Sequence, residues 1–318
     1  MTTSTLSPQK PVETVGRALL PVGLSRQETG KSARPIGCPL CDAEPARLFE
    51  KDGIPIWRCS ACTHQFARPP EPESHLEDVY GDDYFHGGGA GYADYLNEAS
   101  LLRAHGRRYA RILTRHVSPG TLLDVGAAAG FLLQGFRDFG WDGEGVEPNA
   151  AMARHAREQL GLRVTASSLE EFVASRTFDV VSLIQVIAHF VDPREAVQCV
   201  AELVRPGGLC LVETWNVQSW TARLFGRHWH EYSPPSVLQW FSPVTLAALF
   251  GAAGFTPIAQ GRPQKWLNAE HAKSLLRHKA ASSRLAKLAA SVLSVVPDRS
   301  ALPYPSEDLF WVLFRKEG

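Results

Sequence analysis

The chain has 318 residues with 33 Lys+Arg against 33 Asp+Glu, so no global field draws it to nucleic acid or to an anionic membrane. Hydrophobic residues make up 44% and charged residues 21%, an ordinary globular composition. No run approaches the roughly 20 apolar residues of a membrane span, and the Thr-, Ser- and Pro-bearing N-terminus lacks the apolar core of an export signal. A cytoplasmic protein with a small-molecule substrate is therefore expected.

Residues 1–35 show no hydrophobic period and read as a disordered tail. Residues 36–70 carry Cys38-Pro39-Leu40-Cys41 and Cys59-Ser60-Ala61-Cys62, two C-x2-C knuckles. Paired cysteines without an export signal read as a metal site before they read as disulfides. Cys38, Cys41, Cys59 and Cys62 can close a tetrahedral shell around a structural zinc. The intervening stretch suits a short hairpin with Phe49, Ile54, Ile56 and Trp57 as its core. That core is too small to fold unaided, so the metal would supply the missing free energy. His64 is read as a surface residue rather than a ligand. Residues 71–117 follow a Pro-rich linker. They carry Tyr84, Tyr92 and Tyr95, with Gly87-Gly88-Gly89 between the first two, then an arginine-rich helix over 97–116. The tyrosines suit either a substrate lid or plain packing.

From Gly120 strands and helices alternate. Strands are predicted at 121–125, 144–147, 163–166, 178–184 and 209–213. Asn149 caps a helix that stops at Gly161. Asp192-Pro193-Arg194-Glu195 opens another, with a capping residue, a first-position Pro and a third-position Glu. Such alternation gives an α/β, Rossmann-like, doubly wound and mainly parallel sheet. Ser242-Pro243 starts a further helix, and 256–260 and 310–314 read as late strands. Cys199 and Cys210 read as small buried hydrophobes.

The first strand runs into Asp124-Val125-Gly126-Ala127-Ala128-Ala129-Gly130, a turn whose small residues let a ligand approach the backbone at a helix N-terminus. Glu147 ends the second strand, where a carboxylate can accept both hydroxyls of a ribose. An acid before the first glycine repels a pyrophosphate and attracts the ammonium of a methionine moiety. The segments LLDVGAAAGFLL, GVEPNAAMARHAR, FDVVSLIQVIAHFVDP and LVRPGGLCLVE together resemble the successive motifs of class I S-adenosylmethionine-dependent methyltransferases. By that resemblance Asp124, Gly126, Ala128 and Gly130 line the methionine end and Glu147 holds the ribose. Ser168 and Leu169 flank the adenine, and Gln185 lies near the sulfonium. Ala128 replaces the family's usual glycine, which a negative φ would accommodate. With its cysteine ribbon the chain also resembles methyltransferases of sugar, natural-product and envelope-polysaccharide pathways.

The acceptor would then be a sugar or natural-product intermediate, free or linked to a carrier or nucleotide, methylated at O, C or N. Two other readings are a cofactor used without methyl transfer and a non-catalytic binding module. His189, after the fourth strand, is a candidate base or substrate contact, or else a loop histidine bonded to backbone. His230 paired with Glu231 is a second candidate base. Trp229 and Tyr232 beside it wall either a pocket or a sheet edge. The cofactor domain is placed at 118–260, with a helical insertion and a last strand over 261–318. Within the latter, the basic residues of 262–287 suit an anionic ligand or a solvated helix face.

Overall fold

The computed structural model describes residues 37–69, 75, 79, 81, 95–269, 273, 296–297, 300–304 and 307–318, all within one compact unit, Pro35–Gly318. The proposed tail, Tyr84, Tyr92 and most of the basic segment lie outside them. Among the described residues no helix is long and apolar enough to cross a membrane.

The cysteine segment folds as β1 (Pro45–Lys51), β2 (Ile54–Cys59) and β3 (Gln65–Phe66). Helix α1 (Ala99–Leu113) precedes the alternating region. That region comprises β4 (Thr121–Val125), α2 (Phe131–Arg137), β5 (Asp142–Glu147), α3 (Ala150–Leu160), β6 (Arg163–Ala166), β7 (Phe178–Ile184), α4 (Pro193–Leu203) and β8 (Val204–Trp215). There follow α5 (Trp220–Phe225), β9 (Gln239–Trp240), α6 (Pro243–Ala252), β10 (Phe255–Gly261), β11 (Lys265–Asn268), β12 (Ala301–Tyr304) and β13 (Leu309–Lys316).

Seven strands form one sheet in the order β10-β13-β8-β7-β4-β5-β6. The five adjacent strands from β8 to β6 run parallel, β13 runs antiparallel to β8, and β10 at the edge pairs antiparallel with β13. The order reverses between β4 and β7, which opens a crevice at the strands' carboxyl ends. Both faces are covered. On one, Val197 and Val200 of α4 and Phe250 of α6 bury against Val181, Leu183 and Phe314. On the other, Tyr109 and Leu113 of α1 with Leu133 and Phe136 of α2 bury against Leu122, Val180 and Leu211. A Cβ on Gly106 would stand 2.2 Å from the Leu132 carbonyl oxygen, so only glycine lets α1 lie this close to α2. The predicted helix signals are realised: Asn149 caps α3 through Met152, and Asp192 caps α4 with Pro193 in its first turn.

The ribbon is not a detached module. Its sheet continues as β1-β2-β3-β9, so the fourth strand comes from the main domain. Ile56 and Ala67 bury against Trp229, Val237 and Trp240, and Arg194 of α4 grips Asp42 through two bonds of 2.7 and 2.8 Å. The hairpin thus lends Phe49, Ile54 and Ile56 to a shared core, while Trp57 packs with Phe66, Cys38 and Cys59 inside the ribbon. His64 corrects its surface reading. It is fully buried, bonds Gln239 Oε1 at 2.9 Å through Nε2, and burial pulls its pKa down to about 4.

Candidate functional site

A cleft of about 550 Å³ opens at the carboxyl ends of β4, β5 and β7, with α1 along one side. That volume suits a small-molecule ligand. The turn after β4 contributes Gly126 and Ala128 to its wall, β5 contributes Glu147, and the segment after β6 contributes Ser168 and Leu169. Gln185, at the end of β7, completes this part. Six of the eight residues expected around a cofactor therefore meet in one cavity.

Asp124 and Gly130 do not line it. Asp124 sits under the turn, almost wholly buried, and Oδ1 accepts the Ser182 hydroxyl at 2.6 Å while Oδ2 has no partner. Burial raises its pKa to about 7. The Ser182 bond opposes that rise, and the charge of Glu147 adds to it. Gly130 is small for packing: at φ +85°, a Cβ would lie 2.4 Å from Leu162 Cδ1 and 3.1 Å from Ala156 Cβ. Ala128 overturns its conformational expectation, since its φ is +46°. An L-residue there costs roughly 1–2 kcal/mol relative to a right-handed conformation. The amide of Ala128 donates to Glu147 Oε2 at 2.8 Å, which ties the turn down in spite of that cost.

Glu147 Oε1 also accepts the Asn149 amide at 2.8 Å. Burial lifts its pKa to about 7 against those two backbone bonds. An ionised carboxylate offers about four lone-pair sites, so two remain for hydroxyl groups of a ligand in the cleft. Gln185 is the second strained residue, at φ +60°. Its amide donates to the Glu213 carbonyl at 2.8 Å and its Nε2 donates to Glu213 Oε1 at 2.7 Å.

Glu213 ends the core of β8 with a fully buried side chain. It accepts Nε2–H of His105 at 2.8 Å and the Tyr109 hydroxyl, both from α1. Burial alone would raise its pKa, but the charge of His105 and the bonds from His105, Tyr109 and Gln185 outweigh it and hold it at about 2. Sequence reading missed this group. His105 and Tyr109 are four apart on one helix face, but Glu213 lies 108 residues from His105 and no motif spacing ties them.

The residues expected around the acceptor are dispersed. His189 lines the cleft, yet Nδ1 is 2.7 Å from the Ser236 carbonyl and the ring also bonds the Gln185 backbone. Burial lowers its pKa. His230 Nε2 is 2.6 Å from Glu231 Oε1 and 3.9 Å from Asp308 Oδ2, but neither His230 nor Glu231 lines the cleft. Trp229 and Tyr232 wall no acceptor pocket there. Both are buried in the seam between ribbon and main domain, where Trp229 bonds Asp308 and Tyr232 packs edge-on to Phe49 at 4.9 Å. Tyr95 lines the cleft and stacks on Phe131 at 5.8 Å. Within the basic segment Lys273 is buried, its ammonium donating to the Val296 carbonyl at 2.5 Å.

The four ribbon thiols form the arrangement a tetrahedral ion requires. Cys38 and Cys62 sulfurs are 3.6 Å apart, Cys41 and Cys59 sulfurs 3.5 Å, and all four lie within 4.8 Å of one another. Zinc–sulfur bonds of about 2.3 Å imply a sulfur–sulfur edge of about 3.8 Å. Amides of Leu40, Ala61 and Cys62 point at the Cys38 and Cys59 sulfurs, as they would toward thiolates.

Across residues 95–260, more than half of the chain and including the strand ends that line the cleft, the sequence matches the methyltransferase domain family. The chain belongs to that family. It is a class I, S-adenosylmethionine-dependent type, as the order of its strands also shows. Among curated proteins this methyltransferase is 31% identical over 148 residues to the ubiquinone biosynthesis O-methyltransferase of Azorhizobium caulinodans, covering 42% of this chain and 58% of that one. It is 32% identical over 159 residues to the protein of that name from Caulobacter vibrioides, covering 42% and 62%. The match thus spans about three-fifths of these relatives. Two solved structures share the fold. One is the complex of the Haloferax volcanii Trm112 methyltransferase activator with its methyltransferase partner, at TM-score 0.51, 16% identity, 71% of this chain and 96% of that one. The other is a methyltransferase-like protein of Bacillus halodurans C-125, at TM-score 0.50, 13% identity, 67% and 99%.

Proposed function

We propose that the protein transfers the methyl group of S-adenosylmethionine to an oxygen of a small-molecule acceptor, and that the four ribbon thiols hold a structural zinc. The observation that carries the first part is the cleft itself. It gathers the family's turn, the carboxylate after the second strand and the end of the fourth into one cavity, within the residues that match the family. The names of the curated relatives support oxygen as the accepting atom.

Gly126 and Ala128 would receive the methionine end, Glu147 the ribose hydroxyls, and Ser168 with Leu169 the adenine. The cavity fits that group: Glu147 keeps two lone-pair sites after binding Ala128 and Asn149, and Leu169 offers an apolar wall. When bound, S-adenosylmethionine supplies an activated methyl carbon on a positively charged sulfur. The chain's own contribution is positioning and exclusion of water. Gln185, locked by Glu213, fixes the wall where α1 and the end of β7 meet, and Tyr95 closes the side of the turn.

The test is incubation with isotopically labelled S-adenosylmethionine and a panel of catechols, simple phenols, glycosides and nucleotide sugars, read by mass spectrometry. A labelled methyl on a hydroxyl is expected. Failure of S-adenosylhomocysteine to bind in calorimetry, together with no labelled product, would remove the proposal.

A further inference from the structure

Two buried polar side chains, His64 and Gln239, take no part in the proposed transfer, yet they join the ribbon to the cleft. Residues 236–240 touch both at once. Toward the ribbon, β9 pairs with β3, and the Ala67 amide donates to the Leu238 carbonyl at 2.8 Å. Toward the cleft lies the wall formed by His189, Phe190, Val191 and Asp192. There the Leu238 amide donates to the Ala188 carbonyl at 2.9 Å, and His189 Nδ1 is 2.7 Å from the Ser236 carbonyl.

Gln239 spans the two sides with a single amide group. Its Oε1 is 2.9 Å from His64 Nε2, and its Nε2 donates to the Phe190 carbonyl at 3.0 Å and reaches the Val191 carbonyl at 3.5 Å. A carbonyl only accepts, so the amide nitrogen faces the wall and the amide oxygen faces a hydrogen on His64 Nε2. The reversed amide would set oxygen against two carbonyl oxygens, so the bridge has one direction. His64 is held in turn by its backbone: its carbonyl accepts the Cys59 amide at 2.8 Å, inside the second cysteine knuckle. A second tie runs beside the first. Asp42, next to Cys41, grips Arg194, and Asp192 and Glu195 on either side of that arginine line the cleft.

We infer that the ribbon is an allosteric element of this methyltransferase: metal held by Cys38, Cys41, Cys59 and Cys62 fixes the 188–192 wall through His64 and Gln239 and tightens the cleft on its ligand. The inference rests on the zinc and cofactor readings and adds a coupling between them. Gln239 does not line the cleft, so it is a positioning residue. With the second knuckle closed, β3 leaves it in the direction of β9 and the amide of Gln239 holds the wall. With the knuckle open, β3 parts from β9, Gln239 loses His64, and the wall loses the ties that residues 236–239 supply. Two sites that bias one such two-state element are coupled, and the coupling is reciprocal.

The test uses the full chain and two probes, zinc and S-adenosylhomocysteine. In calorimetry, zinc-loaded protein should bind S-adenosylhomocysteine about 5–150-fold more tightly than protein stripped with a chelator, the span common to coupled sites. Zinc affinity, read by competition with a chromogenic chelator, should rise by the same factor when S-adenosylhomocysteine saturates the cleft. Stripping should quicken hydrogen exchange across 186–192 while β4 and β5 stay protected, which separates a released wall from an unfolded domain. Gln239→Met removes the bridge with a side chain of similar length. It should keep one zinc and reduce the coupling to less than about twofold; if it does not fold, the wild-type measurements decide. Equal affinity with and without zinc, with unchanged exchange at 186–192, overturns the inference and leaves both readings intact. Full coupling in Gln239→Met overturns Gln239 as the link. Absence of bound zinc overturns the ribbon reading, absence of S-adenosylhomocysteine binding overturns the cofactor reading, and either takes the inference with it.

Discussion

Replacing Asp124 by asparagine should stabilise the ligand-free protein in mild alkali and destabilise it below about pH 4. The folded-state pKa of about 7 lies above the model-compound value of 3.8, chiefly through burial. The native state therefore binds the extra proton between about pH 4 and pH 7. The stability this proton confers is fully present below that window and is lost as pH rises through it. Each unit of displacement corresponds to about 1.4 kcal/mol, so keeping Asp124 ionised in the fold near pH 8 costs about 4 kcal/mol. Asparagine removes that cost and keeps the Ser182 bond through its oxygen, but it buries an amide N–H₂ where Oδ2 has no partner. That burial costs about 1–3 kcal/mol. The variant should then gain about 1–3 kcal/mol near pH 8, lose a similar amount only below about pH 4, and cross the wild type between. Urea unfolding in the absence of methyl donor, at several pH values across this range, measures the difference directly. A difference that does not change with pH would refute the reasoning, because Asp124 would then titrate alike in both states.

Glu147→Ala removes the proposed ribose acceptor, and charged hydrogen bonds contribute about 1.5–3 kcal/mol each. S-adenosylhomocysteine should bind at least about a hundredfold more weakly in calorimetry. Ala128→Gly relieves the positive φ but deletes a buried methyl, worth about 0.8 kcal/mol, and adds unfolded-state freedom worth about 0.5–1 kcal/mol. Its unfolding free energy should stay within about 1 kcal/mol of wild type; a loss above about 2 kcal/mol would show that packing of the methyl governs the site. One zinc per chain is expected by elemental analysis and should be lost in Cys59→Ser. Because β3 pairs with β9, limited proteolysis of that variant should open the 239–240 region as well as the ribbon. Cleavage confined to residues before 70 would contradict the shared sheet.

Most of the alternating region was legible because its signals are local. Asn149 with Gly161, and Asp192 with Pro193, mark helix ends by chemistry that acts within one turn. Strand boundaries at 121–125, 163–166 and 178–184 followed from short apolar runs between such signals. The residues that line the cleft were readable where they belong to one turn or one strand end. Contacts between distant segments were not. Nothing local says that Trp229 and Tyr232 close a seam against Ile56 and Phe49, or that His64 is buried on Gln239, since each depends on β3 meeting β9. The same holds for His105 and Glu213, residues of ordinary aspect until the sheet brings α1 over β8. Ala128 and Gln185 mislead for another reason: positive φ in a residue other than glycine is imposed by tertiary bonds, here to Glu147 and Glu213.

The pairing of Gln65 and Phe66 with Trp240 and Gln239 also sets an order of events as the chain is made. The two cysteine knuckles are synthesised early, yet the strand that completes their sheet comes about 170 residues later, after every parallel strand of the main sheet. Closing so long a loop is slow compared with local helix or hairpin formation. Ile56 and Ala67 must therefore wait with their apolar faces uncovered until Trp229 and Trp240 arrive. A metal captured early would hold the knuckles together through that interval, when exposed strand edges are most prone to associate wrongly. The ribbon would then matter as much to the birth of the protein as to its finished form.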